Sequence, residues 1–257
     1  MLVKNYLSMH LKKALEYRMS FILITISQLV YMIVELIAVL ALFDKFNLLS
    51  IFNKDELILS FSSVWLGYSL CEMFARGFDE FYKIIINGNF DLLLIRPRNI
   101  YLQIFGSDIC YEKVGRVLFS LLLYIWSAAK VMNNITITKI ILLMVMVIGC
   151  VFIIISLFIL GASFCFISIE GLEFINIFTN GTRQVSQYPL KIYNKAFRFI
   201  FTYVIPISLI NYYPIKYLNG TTNNIVYIFI PFLTIIYVFI STRVFNLGIR
   251  KYESTGS

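Results

Sequence analysis

An all-α, polytopic membrane protein with six transmembrane helices is the fold class that this sequence predicts. Of its 257 residues, 60% are hydrophobic and 14% are charged, and the mean hydropathy is +0.82. Soluble domains carry about 25% charged residues, so this chain cannot build a water-soluble surface. Phe and Tyr supply most of the 17% aromatic content, and tyrosine suits the membrane interface. Lipid is therefore the solvent for most of the chain.

The membrane spans follow from runs of apolar residues, because about 20 such residues cross the roughly 30 Å hydrocarbon core as a helix. They predict a single transmembrane domain over residues 1–257, with clear spans at about 20–43, 57–75, 114–132, 139–160 and 225–244. A further span lies at about 162–182 in one of the two interpretations given below. Residues 140–169 are almost unbroken hydrocarbon and exceed one span. They form either one long tilted helix or a helix that runs into the next.

Topology follows from the Lys and Arg residues between the spans. With a cytoplasmic amino terminus, thirteen of them fall inside, within residues 4–18, 76–116 and 243–251, and four fall outside. Since cytoplasmic loops are enriched in these residues, both termini are predicted to be cytoplasmic, which requires an even number of spans. The protein is expected to lie in the cell membrane. The net charge of +8 is spread between apolar runs, which fits anionic lipid and not a nucleic-acid partner.

The segment before the first span is predicted to be an amphipathic interfacial helix. Leu7, Leu11 and Leu15 share one face with Ala14, while Lys12 and its charged neighbours project elsewhere, a pattern typical of a helix lying along the inner leaflet. It serves either as a positively charged anchor or in coupling. The apolar stretch that follows is longer than a signal-peptide core and lacks a cleavage site, so the first span is expected to be retained.

The loop at residues 76–98 is predicted to dock a soluble partner. An aromatic face recurs at helical spacing from Phe78 to Ile85, which predicts a short helix lying on the membrane before Asn87-Gly88 turns the chain. Asp91 is placed to cap a second short helix that Pro97 ends. The candidate residues of this loop are Arg76, Asp79, Glu80, Lys83, Asp91, Arg96 and Pro97.

Four carboxylates fall within predicted spans, where ionisable groups are costly and commonly functional: Glu35, Glu72, Glu170 and Glu173. Glu72 is near the cytoplasmic end and is expected to reach water or to pair with Arg76 one turn later. Glu35 is more central. It either lines a translocation path, pairs across a subunit interface or serves helix packing.

The path from residue 162 to residue 218 has two interpretations. In one, a fifth span at 162–182 is followed by a hairpin at 189–218 that re-enters from outside, broken by Pro189, Pro206 and Pro214. In the other, the fifth span covers about 199–218. Counting positive charges favours the second, since it keeps four of five disputed charges inside, and Glu170 and Glu173 also weigh against the first. The disputed charges are Arg183, Lys191, Lys195, Arg198 and Lys216.

Catalytic motifs are missing from the sequence. It has no GxxxxGK[ST] phosphate loop, no GxSxG elbow and no HExxH helix. His10 is the single histidine, and the four cysteines form no CxxC pair, so neither a metal site nor a disulfide is expected. An enzyme is therefore not expected, nor is a cofactor bound by this chain.

Three stretches carry a family resemblance: NGNFDLLLIRPRN at 87–99, the segment SIEGLEFINIF to PIKYLNG at 168–220, and GIRKYESTGS at 248–257. Together they resemble one group of ABC exporter permeases with the type-2 exporter fold. The resemblance implies a six-span domain paired with a second permease, often a related but different chain, and with two copies of a cytoplasmic ATPase that holds ATP and Mg²⁺. It also implies that residues 76–98 form the coupling loop, and it favours the re-entrant hairpin.

The expected function is that of a permease subunit of an ATP-driven exporter, forming half of a pathway for a drug, a peptide or a lipid-like cargo. The alternative is a secondary transporter or channel that works alone. Such a protein would want paired ionisable residues near the midplane and an internal repeat, and no repeat is detectable here.

Overall fold

The computed structural model describes residues 2–45, 53–132, 134–168, 179–185, 193–206, 210–222, 224 and 226–253. Nearly all of these residues are helical, and no β-strand occurs within these ranges. The all-helical fold class is therefore confirmed for this part of the chain.

The helices comprise long elements joined by short ones. The long helices are α2 (Arg18–Lys45), α3 (Lys54–Phe74), α8 (Val114–Val131), α9 (Ile137–Phe164) and α14 (Ile235–Lys251). The short helices are α1 (Leu2–Glu16), α4 (Arg76–Asp79), α5 (Phe81–Ile86), α6 (Asn89–Ile95), α7 (Ile100–Ser107), α11 (Lys195–Phe199), α12 (Tyr212–Leu218) and α13 (Val226–Phe229). The described residues 179–185 are also helical and are called α10.

Five segments of the described residues are long and apolar enough to cross a membrane. Three are α2, α3 and α9, one is α8 with the 3₁₀ turn before it, and one runs from α13 through a 3₁₀ turn at Ile230–Thr234 into α14. They correspond to the first four predicted spans and the last. α3 is mostly enclosed by its neighbours, whereas most of α2 is exposed, so α3 lies at the centre of the bundle.

The fifth predicted span, 162–182, does not begin where the sequence placed it. α9 continues through Gly161 and ends at Phe164, and a turn follows at 165–167. Glycine within this apolar helix serves close packing instead of breaking it: a Cβ at Gly149 would lie 3.3 Å from the Cβ of Pro231. Glu170 and Glu173 lie outside the described residues, so their predicted roles stay predictions, as does the count of six spans.

The segment predicted as a re-entrant hairpin contains short helices. α11 continues into a π-helical turn, Ile200–Val204, and α12 follows after a gap. The alternative of one straight span over 199–218 is therefore not seen in the described part. Pro206 is buried, and Pro214 lies in the first turn of α12, where its missing N–H needs no partner. Pro189 lies outside the described residues, and re-entry stays a prediction.

The two residues that cap α12 hold it beside the first half of α3 through polar contacts, one buried and one partly buried. Ser63 Oγ donates to Asn211 Oδ1 at 2.8 Å, and Asn219 Nδ2 donates to Glu56 Oε1 at 2.6 Å. The far end of α3 meets α4 to α7 instead. We call this second end, where α3 ends and α8 begins, the loop end of the bundle.

α1 packs on α7 at the loop end. A hydrogen bond of 3.0 Å joins His10 Nε2 and the carbonyl oxygen of Gly106, and Gly106 accommodates the ring of Tyr6, which a Cβ there would meet at 2.4 Å. Leu11 and Leu15 stay exposed. The predicted helix is thus present, while its position along the inner leaflet stays a prediction.

Candidate functional site

The aromatic face of the loop at 76–98 points into the protein. Phe78 and Phe81 are 0% exposed, so the interpretation of this face as one lying on the membrane is wrong. Phe81 packs at centroid distances of 5.4 Å on Phe90 and 5.5 Å on Phe245, and Phe90 packs at 5.3 Å on Phe166. We call Phe78, Phe81, Phe90, Phe166 and Phe245 the loop-end aromatic cluster.

This cluster joins the loop to two membrane helices. Phe245 belongs to α14 and Phe166 follows the end of α9, while the other three rings come from α4, α5 and α6. Aromatic pairs of this kind contribute about 0.5–1.5 kcal/mol each beyond burial. The loop is therefore fixed to the ends of α9 and α14 and does not hang freely between α3 and α8.

The helix ends of the loop differ in part from prediction. The turn at Asn87-Gly88 is confirmed, since Gly88 has φ +66°, a conformation that favours glycine. The prediction that Asp91 caps the next helix is wrong, because Gly88 occupies that position and Asp91 lies in the first turn. An acidic residue in the first turn is favoured by the helix dipole. α6 ends at Ile95, just before Pro97, as predicted, and Asn99 then caps α7 by accepting from Tyr101 N at 2.9 Å.

A chain of ion pairs runs along the side of the loop that faces away from the aromatic cluster. Arg76 Nε lies 3.3 Å from Asp108 Oδ2, Arg76 NH2 lies 2.5 Å from Glu80 Oε1, and Lys83 Nζ contacts Glu80 Oε2. Partial burial opposes ionisation of Glu80, but hydrogen bonds and charge from Lys83 and Arg76 outweigh it and lower the pKa of Glu80. The same hydrogen bond raises the pKa of Lys83. Glu80 and Lys83 are therefore charged at neutral pH.

Asp79 is the exception among the acidic residues of this loop. It is partly buried, and burial together with the negative charge of Glu72 raises the pKa of Asp79 to about 6. This carboxyl therefore titrates near pH 6, close to physiological pH.

An open groove of about 450 Å³ lies between α1 and the loop helices. Its walls carry both signs of charge, with apolar and amide side chains between them. The lining residues are Lys13, Gly77, Glu80, Lys83, Ile84, Asn87, Asn89, Leu92, Leu93, Arg96, Ser107 and Asp108. Arg96 and Pro97 are exposed, so this part of the predicted docking residues lies on an accessible surface.

Glu72 lies in a buried ion triad, and its predicted partner was wrong. Instead of Arg76, it pairs with Lys113 Nζ at 3.3 Å and with Arg116 NH2, whose side chain is 2% exposed. The triad joins the end of α3 to the start of α8. Spacing of one helical turn suggested Arg76, but that side chain is held by Glu80 and Asp108.

Glu35 meets Arg183 between α2, α3 and α10. Arg183 NH2 lies 4.0 Å from Glu35 Oε1 and donates to the hydroxyl of Tyr31 at 3.1 Å. Its guanidinium carbon lies 4.8 Å from the ring centroid of Trp65 and 5.0 Å from that of Tyr68. We call Tyr31, Trp65 and Tyr68 with Glu35 the Arg183 cage. Sequence reasoning missed it, although an arginine near apolar spans signals the need for an acidic partner.

Cysteine and metal chemistry adds no further site in the part of the chain that the structure describes. The four cysteines are free. No group of three or more His, Cys, Asp or Glu side chains in that part is placed to hold a metal ion.

The fold and these sites define a multi-pass membrane protein whose loop end is built on four of its membrane helices, α3, α8, α9 and α14. A family model described as ABC-2 family transporter protein matches residues 29–256, and the chain belongs to this family. It is therefore a permease of an ABC transporter: a transmembrane component that works with an ABC ATPase and is not itself catalytic. No curated protein and no solved structure gives a significant match.

Proposed function

We propose that this chain is a permease subunit of an exporter in the cell membrane, with both termini and the loop end in the cytoplasm. It forms half of a translocation pathway with a second permease, which is a related but different chain. Two copies of a separate ATPase hydrolyse ATP with Mg²⁺ and drive an amphipathic or hydrophobic cargo outward.

The observation that carries this proposal is the attachment of the loop at 76–98 to several membrane helices at once. The loop-end aromatic cluster ties it to α9 and α14, and the Glu72 triad ties the end of α3 to α8. Force applied to the exposed side of α5 and α6 would reach these four helices without a flexible linker. An ordinary solvated loop has no need of such attachment.

The exposed side of the loop offers chemistry for a protein partner. Lys83 and Arg96 provide positive charge beside Glu80 around the groove, and complementary charges fix the register of a docked partner. ATP-driven closure of the ATPase dimer would move this surface, and the cluster would transmit the movement to the spans.

The opposite end supports an outward gate. The contacts of α12 with the start of α3, through Asn211 and Asn219, close the bundle at that end. In the proposed topology this end faces outward, so the gate would have to open for cargo release.

Purification of the tagged chain in mild detergent tests the proposal. An ABC ATPase and a sister permease should co-purify with it, and the ATP hydrolysis of the complex should respond to cargo. Glu80→Lys and Arg96→Glu should abolish this response or the ATPase association. Arg198→Glu, on exposed α11, is the matched control and should preserve both.

Two outcomes would overturn parts of the proposal. Normal ATPase binding and normal transport in Glu80→Lys and Arg96→Glu would remove the coupling role of the loop. Solute movement by the purified chain without any ATPase would instead support a secondary transporter or channel, which could use the Glu35 and Arg183 pair.

A further inference from the structure

The Arg183 cage holds its cation mainly against ring faces. Trp65 and Tyr68 lie 4.8 and 5.0 Å from the guanidinium carbon, within the roughly 6 Å over which cation–π attraction acts. The Glu35 oxygen is 4.0 Å from the nearest guanidinium nitrogen, whereas charge-assisted hydrogen bonds measure about 2.7–2.9 Å. The carboxylate therefore supplies charge to the cage without gripping the guanidinium.

The rings are arranged as the walls of a box. Tyr31 meets Trp65 at an interplanar angle of 68°, and Trp65 meets Tyr68 at 79°. Perpendicular walls present faces in different directions, which is the arrangement that recognises quaternary ammonium groups in aromatic cages.

The hydrogen bonding of Arg183 also fits a ligand with few donors. A guanidinium carries five N–H donors, and buried donors are usually satisfied, although the Nε of Arg116 in the Glu72 triad is also without a partner among the described residues. Within the described part of the chain, the guanidinium donates to Tyr31, and its Nε has no hydrogen-bond partner. A trimethylammonium group, which has no N–H to satisfy, would suit the same box.

Among the residues that the structure describes, Tyr31 forms an accessible wall of the box. Trp65 is 0% exposed, but Tyr31 is 47% exposed on α2, the span with the largest exposed share of its surface. In the membrane this side meets lipid or a neighbouring subunit. An amphipathic cation with its tail among the lipid chains would reach the box from the side of Tyr31.

We propose that the Arg183 cage is a binding site for organic cations with a quaternary ammonium or guanidinium head, and that Arg183 occupies it as an internal ligand that cargo displaces. The partly buried Glu35 carboxylate stays beside the box when Arg183 leaves, and a negative charge in a low dielectric favours a cation over a neutral molecule as the incoming ligand. The inference rests on the proposed function for one point, namely that the cation bound here is the transported cargo.

Direct binding to the full-length chain tests the site. Trp65 and Trp126 are the two tryptophans, so Trp126→Phe leaves Trp65 as the sole tryptophan of the chain, and empty nanodiscs give the background emission to subtract. In nanodiscs of choline-free lipid, choline should change Trp65 emission at about tenfold lower concentration in Arg183→Ala than in the parent, consistent with removal of a competing cation. Adding Glu35→Gln to Arg183→Ala should reverse most of this gain.

Matched controls separate the charge from general apolar binding. 3,3-Dimethyl-1-butanol is the neutral isostere of choline and should give no comparable change, and Arg198→Ala should bind choline like the parent. Equal binding of choline and its isostere, or equal choline binding by Arg183→Ala and the parent, would overturn the site.

A second measurement covers the case in which Arg183→Ala does not fold. The parent chain should then show a choline-dependent change in Trp65 emission, at constant ionic strength, that Glu35→Gln abolishes; no change in the parent overturns the site. Binding needs no ATPase, so a failed ATPase pull-down with intact choline binding would count against the exporter alone. Choline binding without effect on ATP hydrolysis by an intact complex would contradict the cargo assignment.

Discussion

The loop-end aromatic cluster and the Arg183 cage use the same kinds of side chain in opposite ways. In the cluster, rings pack on rings, and the nearby charges of Arg76, Glu80 and Lys83 pair with one another outside it. In the cage, a cation lies among the rings, and its carboxylate partner is 4.0 Å away.

This difference teaches which region can change its contacts. A ring in the cluster is replaced only by opening a packed core, and interiors are close-packed and transmit strain. The cation in the cage is replaced by another cation of similar size at little cost in packing. The cluster therefore suits force transmission, and the cage suits exchange of a ligand.

The largest effect is expected from emptying the centre of the cluster. Phe81→Ala should destabilise the chain by about 3–5 kcal/mol, the usual cost of truncating a buried phenylalanine, because Phe81 is 0% exposed and contacts three other rings. Reversible unfolding in mixed micelles measures this. Ile86→Ala on the same helix, at an exposed position, is the control and should cost little. Equal costs for the two variants would show that the cluster does not hold the loop.

The Glu72 triad should respond next most strongly. Glu72→Gln leaves Lys113 and Arg116 with an uncompensated buried charge, and breaking a buried ion pair costs about 3 kcal/mol or more. The same unfolding assay measures the loss. Asp44→Asn breaks the exposed pair with Lys54 and should cost below about 1 kcal/mol. A loss for Glu72→Gln no larger than for Asp44→Asn would mean that water reaches the triad.

Hydropathy was enough to place α2, α3, α8, α9 and the last span, because lipid imposes an apolar surface on every span-length helix. The predicted ends of the helices were less accurate. α9 runs to Phe164 because glycines inside an apolar helix do not stop it. Asp91 does not cap α6, because Gly88 occupies the cap position in the left-handed conformation.

Contacts between distant helices could not be obtained in this way. Helical spacing offered Arg76 as the partner of Glu72 if the carboxylate did not reach water, whereas its partners, Lys113 and Arg116, lie at the start of α8. Arg183 was counted only as a charge in a segment of disputed path, and its cage joins residues more than a hundred positions away. Periodicity reports which face a residue occupies on its own helix, and it carries no information about which helix lies opposite.

Asp79 extends the comparison, because its ionisation makes the stability of the loop end depend on pH. Its pKa is raised from 3.8 to about 6, so the folded state holds the proton over a range in which the unfolded chain has released it. The contribution of Asp79 to stability is therefore greatest below about pH 4, falls as pH rises to about 6, and is constant above.

Unfolding measured from pH 4 to pH 8 in the wild type and in Asp79→Asn checks this. The difference between the two curves should shift in favour of Asp79→Asn as pH rises to 6, because the amide cannot ionise. Neighbouring Glu72, Glu80, Arg76 and Lys113 are present in both proteins, so their titration largely cancels. Parallel curves would show that Asp79 ionises at its ordinary pKa and that the region is better hydrated than its packing implies.

The smallest effect on stability, and the most informative about coupling, is expected from Lys83→Ala. Lys83 is 53% exposed in its pair with Glu80, and such surface pairs contribute about 0–1 kcal/mol, so the unfolding curve should hardly move. Lys83 also lines the groove, where the proposed ATPase docks, so cargo-stimulated ATP hydrolysis should fall. Lys83→Arg keeps the charge and should retain most of the activity. A loss of stability that matches the loss of activity would mean that Lys83 stabilises the fold of the loop. Unchanged activity would place the docking surface elsewhere, and the aromatic cluster would then have no ATPase movement to transmit.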